Sequence, residues 1–544
     1  PSSRTSRKTT SGEGSDLADA TNPSMDERAL IDALSDPSVY PWESARVEHL
    51  ETHVSQLFFA GDRVVKIKRA VDYGFVNHLT LASRQQSCED EVRLNRRLSD
   101  GVYLGCEPIV RDGNGAPRLG AEGEPVEWAT VMRLLPADRM LDALIERGNA
   151  PDGVIDAIAD RLIPFHQTAG SCPGDAAEQA DDAERIVREN LDEIGPFSGL
   201  PVFAIEFGLV AGAMRGFLDR HPEALVERAR HGDIREGHGD LRCEHICLDP
   251  PGAVQIFDCV EFSQSIRCAD IASDLAFLLL DLERLGAPEM ASRLVDRYRD
   301  AGISLPPAML ALYRAHRALV RVKTSALTWA STSGETRDAA LTAMADWLHR
   351  AAASALRASP VVIAMTGLSG TGKSVVASAL GVALGATVIS SDQLRAQAMP
   401  DDADRYDPAR RLDIYRLMAE RAHVELTNGR PVVLDATFLQ PEQRKIATQL
   451  ANDSGVPLQF VEVVADTDVA ERRIVERAKQ GDPARSEATL DVLRQQRREL
   501  SEHPVGLPEG ASLVRVDTST DGPVSLDVVL SWLHQQQLLL PTLP

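Results

Sequence analysis

Apolar residues recur along the chain in two rhythms, and the change between them falls near residue 360. From 136 to about 350 the apolar positions return every three to four residues, over 139–165, 182–194, 201–230, 269–285, 288–302 and 306–328. That is the spacing of one face of a helix. Residues 331–359 are Ala-rich and continue the helical pattern until Ser359-Pro360 ends it. One strand-like interruption runs from His238 through Ile246, turns at Asp249-Pro250-Pro251-Gly252, and returns from Ala253 to Val260. Ahead of 136 the apolar runs are shorter. Those at 56–59 and 63–68 flank Ala60-Gly61-Asp62 and predict a β-hairpin, a charged helix follows at 83–99, and strands follow at Ile109-Val110 and 128–135. Beyond 360, apolar strands at 361–366, 386–390, 431–435, 458–464 and 512–516 alternate with helices. Such alternation builds a parallel sheet covered on both faces. The expected fold class is therefore an α+β bilobal module followed by an α/β domain with a parallel sheet. Its parts are a disordered tail at 1–24, a strand-rich lobe at 25–135, a mostly helical lobe at 136–355 and the α/β domain at 360–544.

Composition narrows the function classes. The chain has 544 residues, 43% of them apolar and 26% charged, which suits a globular protein and excludes a fibrous or wholly disordered one. Lys+Arg total 58 and Asp+Glu 81, a net charge of −23. So acidic a surface repels nucleic-acid backbones and anionic lipid at long range, while leaving room for a local basic pocket. No apolar run is long enough to span a bilayer, and the polar start has no secretory pattern. Seven cysteines without framework spacing predict free thiols in a cytoplasmic protein. Five of them or their neighbours, Cys243, His245, Cys247, Cys259 and Cys268, fall close together, but their spacing is not that of a zinc site, and buried free thiols are the expectation. Only seven residues are Lys, at 8, 66, 68, 323, 373, 445 and 479, so each one is a candidate for a specific task.

The clearest chemistry lies at 367–374, Gly367-Leu-Ser-Gly370-Thr371-Gly372-Lys373-Ser374, a complete phosphate-binding loop between an apolar strand and an Ala-rich helix. Its glycines let backbone N–H groups face a triphosphate, and the helix N-terminus adds partial positive charge. Lys373 would reach the β- and γ-phosphates of ATP or another NTP, and Ser374 would hold Mg²⁺. Downstream, Ser390-Ser391-Asp392 closes the second strand, where Asp392 would act on an acceptor hydroxyl or cap the next helix. Asp435, beside Thr437, ends the third strand where a carboxylate would reach the Mg²⁺ shell. Arg472, Arg473, Arg477, Lys479 and Arg485 surround Gln480-Gly481-Asp482-Pro483, as in a lid whose arginines, Arg473 and Arg477 above all, clamp the transferring phosphoryl group. On these features the segment from about 360 to 540 resembles the small P-loop kinases, which include gluconate, shikimate and polynucleotide 5′-hydroxyl kinases. The resemblance implies phosphorylation of a hydroxyl on a small molecule or a nucleic-acid end.

A second constellation reads His238-Gly239-Asp240-Leu241-Arg242-Cys243-Glu244-His245, with Asp258 eighteen residues beyond Asp240. A loop carrying an Asp followed by a strand-borne metal Asp is the kinase-fold arrangement, in which Asp240 would orient or deprotonate the acceptor and Asp258 would hold Mg²⁺. The segment from about 40 to 330 resembles the aminoglycoside-phosphotransferase-like family. That family has Asn where this chain has His245, and imidazole is a poor Mg²⁺ ligand. The resemblance implies that Lys66 or Lys68, with Lys66 favoured, meets the nucleotide phosphates. Glu89 or Glu91 would orient that lysine, and Met132 would lie on the hinge strand against the base. The order of the two modules looks like bacterial fusions of such a kinase-like module with a P-loop ATP-binding domain. The expectation is a two-module phosphotransferase acting on a small-molecule hydroxyl. Its rivals are a regulatory NTP-binding protein with a degenerate first module and a polynucleotide kinase with a locally basic lid.

Overall fold

The structure is a computed structural model that describes residues 27–72, 77–113, 115–195, 203–398, 408–480, 489–502, 512–520 and 522–543. The tail expected at 1–24 and the predicted lid residue Arg485 lie outside the described residues. Among the described residues no helix is long and apolar enough to cross a membrane. The chain divides into two compact units, one ending at Arg139 and regaining 247–263, the other made of 140–246 and 264 onward.

The first unit is built on a six-stranded antiparallel sheet ordered Val47–Glu51, Ser55–Ala60, Arg63–Lys68, Pro125–Arg133, Tyr103–Arg111, Pro117–Leu119. The predicted hairpin forms because Gly61 takes a left-handed φ of 64°. One face of the sheet packs Phe58, Val65, Ile67, Ile109, Ala129 and Val131 into a core. The helix Leu81–Asn95 is capped by Thr80 and buries Cys88, Glu91, Val92 and Leu94. The strand-rich lobe expected to end at 135 is thus longer and discontinuous. Residues 247–263 return to it because the Cys259 N–H donates to Asn95 Oδ1 at 2.8 Å and the Asp100 N–H to Gln255 Oε1 at 2.7 Å.

The second unit contains both the helical segment and the α/β domain. The stretch predicted as one helical pattern at 201–230 is two helices, Ala204–Arg220 and Pro222–Arg230, since Pro222 has no N–H to continue the ladder. Likewise 139–165 divides into Leu141–Glu146 and Val154–Thr168. The long pair Pro307–Ser331 and Gly334–Ala355 pack side by side, and the second also packs on Lys373–Leu384. Helix was expected to run to 359, but Leu356–Ala358 is a strand paired antiparallel to Leu539–Pro541. The change in composition at 360 is therefore no structural seam. Asp527 reinforces the joint by accepting the N–H groups of Ile205 at 3.3 Å and Glu206 at 3.0 Å, at the start of a helix more than 300 residues away. The buried Glu206 carboxylate meets His349 at 2.9 Å.

The α/β domain has the parallel sheet read from the alternation, ordered Thr387–Ser390, Val432–Asp435, Val362–Thr366, Leu458–Val464, Ser512–Asp517. Every residue of the central strand is buried, as a strand covered on both faces requires. The cysteine expectation needs a correction. Cys172 and Cys268 form a disulfide with their Cα atoms 5.6 Å apart, because the segments that carry them flank the same strand, Ile234–Glu236. Cys88, Cys106, Cys243, Cys247 and Cys259 are free.

Asp270 is fully buried and caps the helix Ile271–Arg284, while Arg228 grips both its oxygens at 2.7 and 2.6 Å. Arg228→Ala strands that carboxylate and should lower unfolding free energy by about 3–5 kcal/mol in urea titration. A loss below about 1 kcal/mol would show that the pair does not hold this unit together.

Candidate functional site

The phosphate loop sits at the carboxyl end of the central strand, where open parallel sheets place their ligands. Its glycines are required by contact as well as by φ. A Cβ on Gly367 would stand 2.3 Å from the Val463 carbonyl oxygen, and one on Gly370 would stand 2.5 Å from that of Ala470. Gly372 takes φ 85° and caps the helix Lys373–Leu384. The loop is braced from within and from other strands. Thr371 donates to the Leu368 carbonyl at 2.9 Å, Gly367 N–H donates to the Thr437 carbonyl at 3.3 Å, and the Thr518 hydroxyl donates to the Thr371 carbonyl at 2.7 Å. Ser369 N–H donates to Gln496 Oε1 at 2.8 Å.

Lys373 folds back on this loop, its ammonium 2.7 Å from the Leu368 carbonyl oxygen. Burial pulls its pKa down to about 8; Asp435 and Asp392 oppose that, and the charge of Arg477 adds to it. Lys373, Asp392, Asp435 and Arg477 therefore share one electrostatic neighbourhood, as their positions in the sequence suggested. Burial raises the Asp435 carboxyl, against hydrogen bonds from the Ser374 and Ser390 hydroxyls. Ser374 and Asp435 together offer hard oxygen donors, a set that fits Mg²⁺. Asp392 lies in the first turn of the helix Ser391–Ala398 and is paired with Arg395 at 2.8 Å. Arg473, expected as a phosphoryl clamp beside Arg477, donates to the Thr518 carbonyl at 2.8 Å and hydroxyl at 3.1 Å. It buttresses the loop through Thr518, because both sit beside the last strand's end.

In the first unit, Lys66 and Lys68 do lie on one side of their strand, and Glu91 meets both. Lys66 Nζ is 2.7 Å from Glu91 Oε1 and 3.0 Å from Asp258 Oδ1; Lys68 Nζ is 2.8 Å from Glu91 Oε2 and is also paired with Glu261. Thr130 donates to Glu91 Oε2 at 3.0 Å. Burial works against the Lys66 charge, but Asp258 and Glu91 outweigh it and hold the ammonium well above its usual range. Burial would raise the Glu91 carboxyl, and the two lysines more than reverse that. Of the two candidate acids it is Glu91 that the lysines find; Glu89 points to Gln85 at 2.9 Å. Asp258 has a left-handed φ of 61°, a conformation costly for a non-glycine residue, and its N–H donates to the Tyr103 hydroxyl at 3.1 Å. Met132 stands opposite Val64 and Tyr103 in the sheet, half-buried.

In the second unit, the His238–Gly239 amides donate to Asp274 at 2.7 and 2.8 Å. His166 meets the same carboxylate at 3.1 Å, and its other ring nitrogen meets the Tyr298 hydroxyl at 2.8 Å. Burial alone would raise Asp274; the His166 hydrogen bond and His238 overcome that and hold it below the usual carboxylate range. Arg317 donates to the carbonyls of Gly239 and Ser273, both at 3.1 Å. The Asp240 side chain is partly exposed and bound by Arg242 at 3.0 Å. His245, the expected Mg²⁺ ligand of this loop, is 7% exposed and engaged by protein groups. Its Nδ1 lies 2.8 Å from the Asp240 carbonyl oxygen, so that nitrogen carries the proton, and Nε2 faces the Arg242 guanidinium at 3.4 Å.

Several of these partners escaped the sequence reading. Glu261 follows Asp258 by three residues and could have been flagged as a second acid for the second lysine. Arg317, Tyr103, Gln496 and Thr518 carry no local motif and come from distant segments.

A family model described as an AAA domain matches residues 362–503. An uncharacterized protein of Mycobacterium tuberculosis, Rv2004c, is 30% identical over 458 residues, which span 81% of this chain and 88% of that protein. Mb2027c of Mycobacterium bovis, also uncharacterized, matches to the same extent, 30% over 458 residues. Among solved structures, a choline/ethanolamine kinase family protein from Mesorhizobium loti is similar at 16% identity and a TM-score of 0.35, covering 59% of this chain and 92% of its own. A gluconokinase from Sinorhizobium meliloti is similar at 23% identity and a TM-score of 0.25, covering 33% and 94%.

Asp274 supplies a prediction with a definite sign. Its folded pKa lies below the unfolded one, so its contribution to stability is complete above the unfolded carboxylate value of about 4 and is lost as pH falls through the folded one. The stability gap between the parent and Asp274→Asn, read from urea midpoints, should be constant from roughly pH 5 to 8 and shrink only in stronger acid. A gap that closed between those neutral values would contradict the assignment.

Proposed function

The chain belongs to the family of the mycobacterial protein Rv2004c, and we propose that it is a two-site ATP-dependent phosphotransferase that moves γ-phosphoryl groups to hydroxyls of small molecules. The family match over 362–503 and the complete phosphate loop within it support nucleotide chemistry. The observation that carries the reading is the convergence of Lys373, Ser374, Asp392 and Asp435 at the mouth of a loop with no room for a side chain at Gly367 or Gly370. Backbone N–H groups and the helix N-terminus bind phosphate oxygens, and Lys373 follows the phosphoryl group as charge builds on it. Ser374 and Asp435 would hold Mg²⁺, which supplies charge neutralisation. Asp392 receives or orients the acceptor hydroxyl, and Arg477 stands near enough to Lys373 to share the phosphate charge.

In the first unit the Lys66–Glu91–Asp258 group supplies the cation and carboxylate that a nucleotide with its metal needs; in the second unit Asp240 is the candidate group for an acceptor hydroxyl. The Arg242 contact favours a second reading of this module. A base held in an ion pair is a weaker base, and a module so tuned binds its ligand to regulate its neighbour. The net charge of −23 counts against a nucleic-acid acceptor.

Full-length protein is required to separate the sites, because the helical segment packs on the P-loop domain. Lys373→Ala should reduce NTP turnover at the P-loop site by at least about 100-fold, measured with a panel of sugars, nucleosides and other hydroxyl acceptors. Turnover that survives unchanged would remove the assignment. In the Lys373→Ala background, Asp240→Asn should cost a further factor of about 100 or more in the remaining turnover. An equal rate with and without it selects the regulatory reading.

The Lys373 amine adds a pH test. Phosphates stabilise its protonated form, so nucleotide binding above about pH 8 should take up a proton, and affinity should fall as pH rises through that value. Calorimetry in two buffers of different ionisation enthalpy measures the uptake. Binding at equal enthalpy in both buffers above that pH would show that Lys373 does not meet the phosphates.

A further inference from the structure

The disulfide is placed where it bears on the Asp240 loop. The strand Ile234–Glu236 leads directly into His238-Gly239-Asp240. On one side it pairs with Cys268–Asp270, Cys268 opposite Glu236. On its other side Glu236 N–H donates to the Gly170 carbonyl at 3.0 Å, and Ser171 bridges to Arg235. Cys172 follows at once, so the bond between Cys172 and Cys268 ties together the two segments that flank the loop's own strand.

The same bond joins the two helices that hold the loop. Cys172 comes four residues after the helix Val154–Thr168, which carries His166, and Cys268 comes three residues before the helix Ile271–Arg284, which carries Asp274. His166 and Asp274 meet at 3.1 Å, and Asp274 grips the His238 and Gly239 amides. The two sulfurs also differ in access. Cys172 is buried, whereas Cys268 is half-buried and lines a small cleft open to solvent, of about 30 Å³, together with Ser273, Tyr313, His316 and Arg317. Tyr313 and His316 are buried in the cleft wall, and His316 Nδ1 has no hydrogen-bond partner there. The other five cysteines are free thiols.

We propose that Cys172–Cys268 is a reversible thiol–disulfide site that takes low-molecular-weight thiols and disulfides at the cleft beside Cys268, and that the closed bond holds the Asp240 loop in order. In reduction, an incoming thiolate attacks Cys268 Sγ and the S–S electron pair leaves on Cys172, which takes a proton. A second thiol of the reductant then attacks the mixed disulfide and releases Cys268 as a thiol. The protein gains two electrons and two protons, and two reductant thiols become one disulfide. A low-molecular-weight disulfide runs the sequence backwards.

The test uses the full chain equilibrated with oxidised or reduced dithiothreitol. Alkylation after unfolding should count five thiols in the first state and seven in the second. Hydrogen exchange over 238–240 should be about tenfold or more faster in the reduced protein. Cys172→Ser and Cys268→Ser should each exchange like the reduced parent in both conditions. Seven thiols under oxidised dithiothreitol, exchange that ignores the redox state, or a redox response that persists in the Cys172→Ser variant would each overturn the proposal. The consequence for turnover rests on Asp240 transferring phosphate, and there reduction should lower the Asp240-dependent rate. Redox-dependent exchange in a protein with no Asp240-dependent turnover in either state would overturn that phosphotransfer reading and leave the thiol–disulfide site standing.

Discussion

A carboxylate as deeply buried as that of Asp274 is tolerable only when donors surround it, and three do: the His238 and Gly239 amides and the His166 ring. Much of the helical half is arranged around that requirement. The helix Val154–Thr168 delivers His166, the helix Pro288–Asp300 delivers the Tyr298 that orients His166, and the helix Ile271–Arg284 delivers the acid itself. The loop that carries Asp240 is shaped from beneath, by the buried His166, Asp274 and Tyr298. Arg317 completes the support by binding the Gly239 carbonyl.

The same rule governs the two lysine centres, with opposite results. In the first unit Glu91 is fully buried between two ammonium groups, and all three stay charged because each compensates the others. Lys66 is thereby fixed in place and aimed at Asp258. Lys373 has no such partner within the loop. Its ammonium rests on a neutral carbonyl, and its pKa falls to about 8. That difference suits their positions. One cation is held by protein acids, and the other leans on weaker contacts that a phosphate can replace at little cost.

The two rhythms of the sequence do not correspond to two separable bodies. The last strand, Leu539–Pro541, pairs with Leu356–Ala358, and Asp527 caps a helix of the other half. These contacts tie the end of the P-loop domain to the strand Leu356–Ala358 and the helix Ala204–Arg220 of the helical half. A helix N-terminus left open by its own sequence (Phe203 provides no cap) is completed by a residue more than 300 positions away.

What the sequence by itself determined is what is local. The phosphate loop was legible because eight consecutive residues, a strand and a helix contain the whole requirement for binding phosphate. The β-hairpin, the parallel sheet and most helices were legible because their periods are written in neighbouring positions. The shared face of Lys66 and Lys68 followed from the period of a strand. Which acid each lysine meets did not, since Glu91, Asp258 and Glu261 lie 23 to 193 residues from their partners and any of several carboxylates would have satisfied the pattern. The Cys172–Cys268 bond, the Arg473–Thr518 brace and the turning of His245 toward Asp240 and Arg242 were likewise decided only by the tertiary structure. A buried charge or sulfur chooses its partner by proximity in space, and a single residue in a distant segment leaves no periodic trace of that choice.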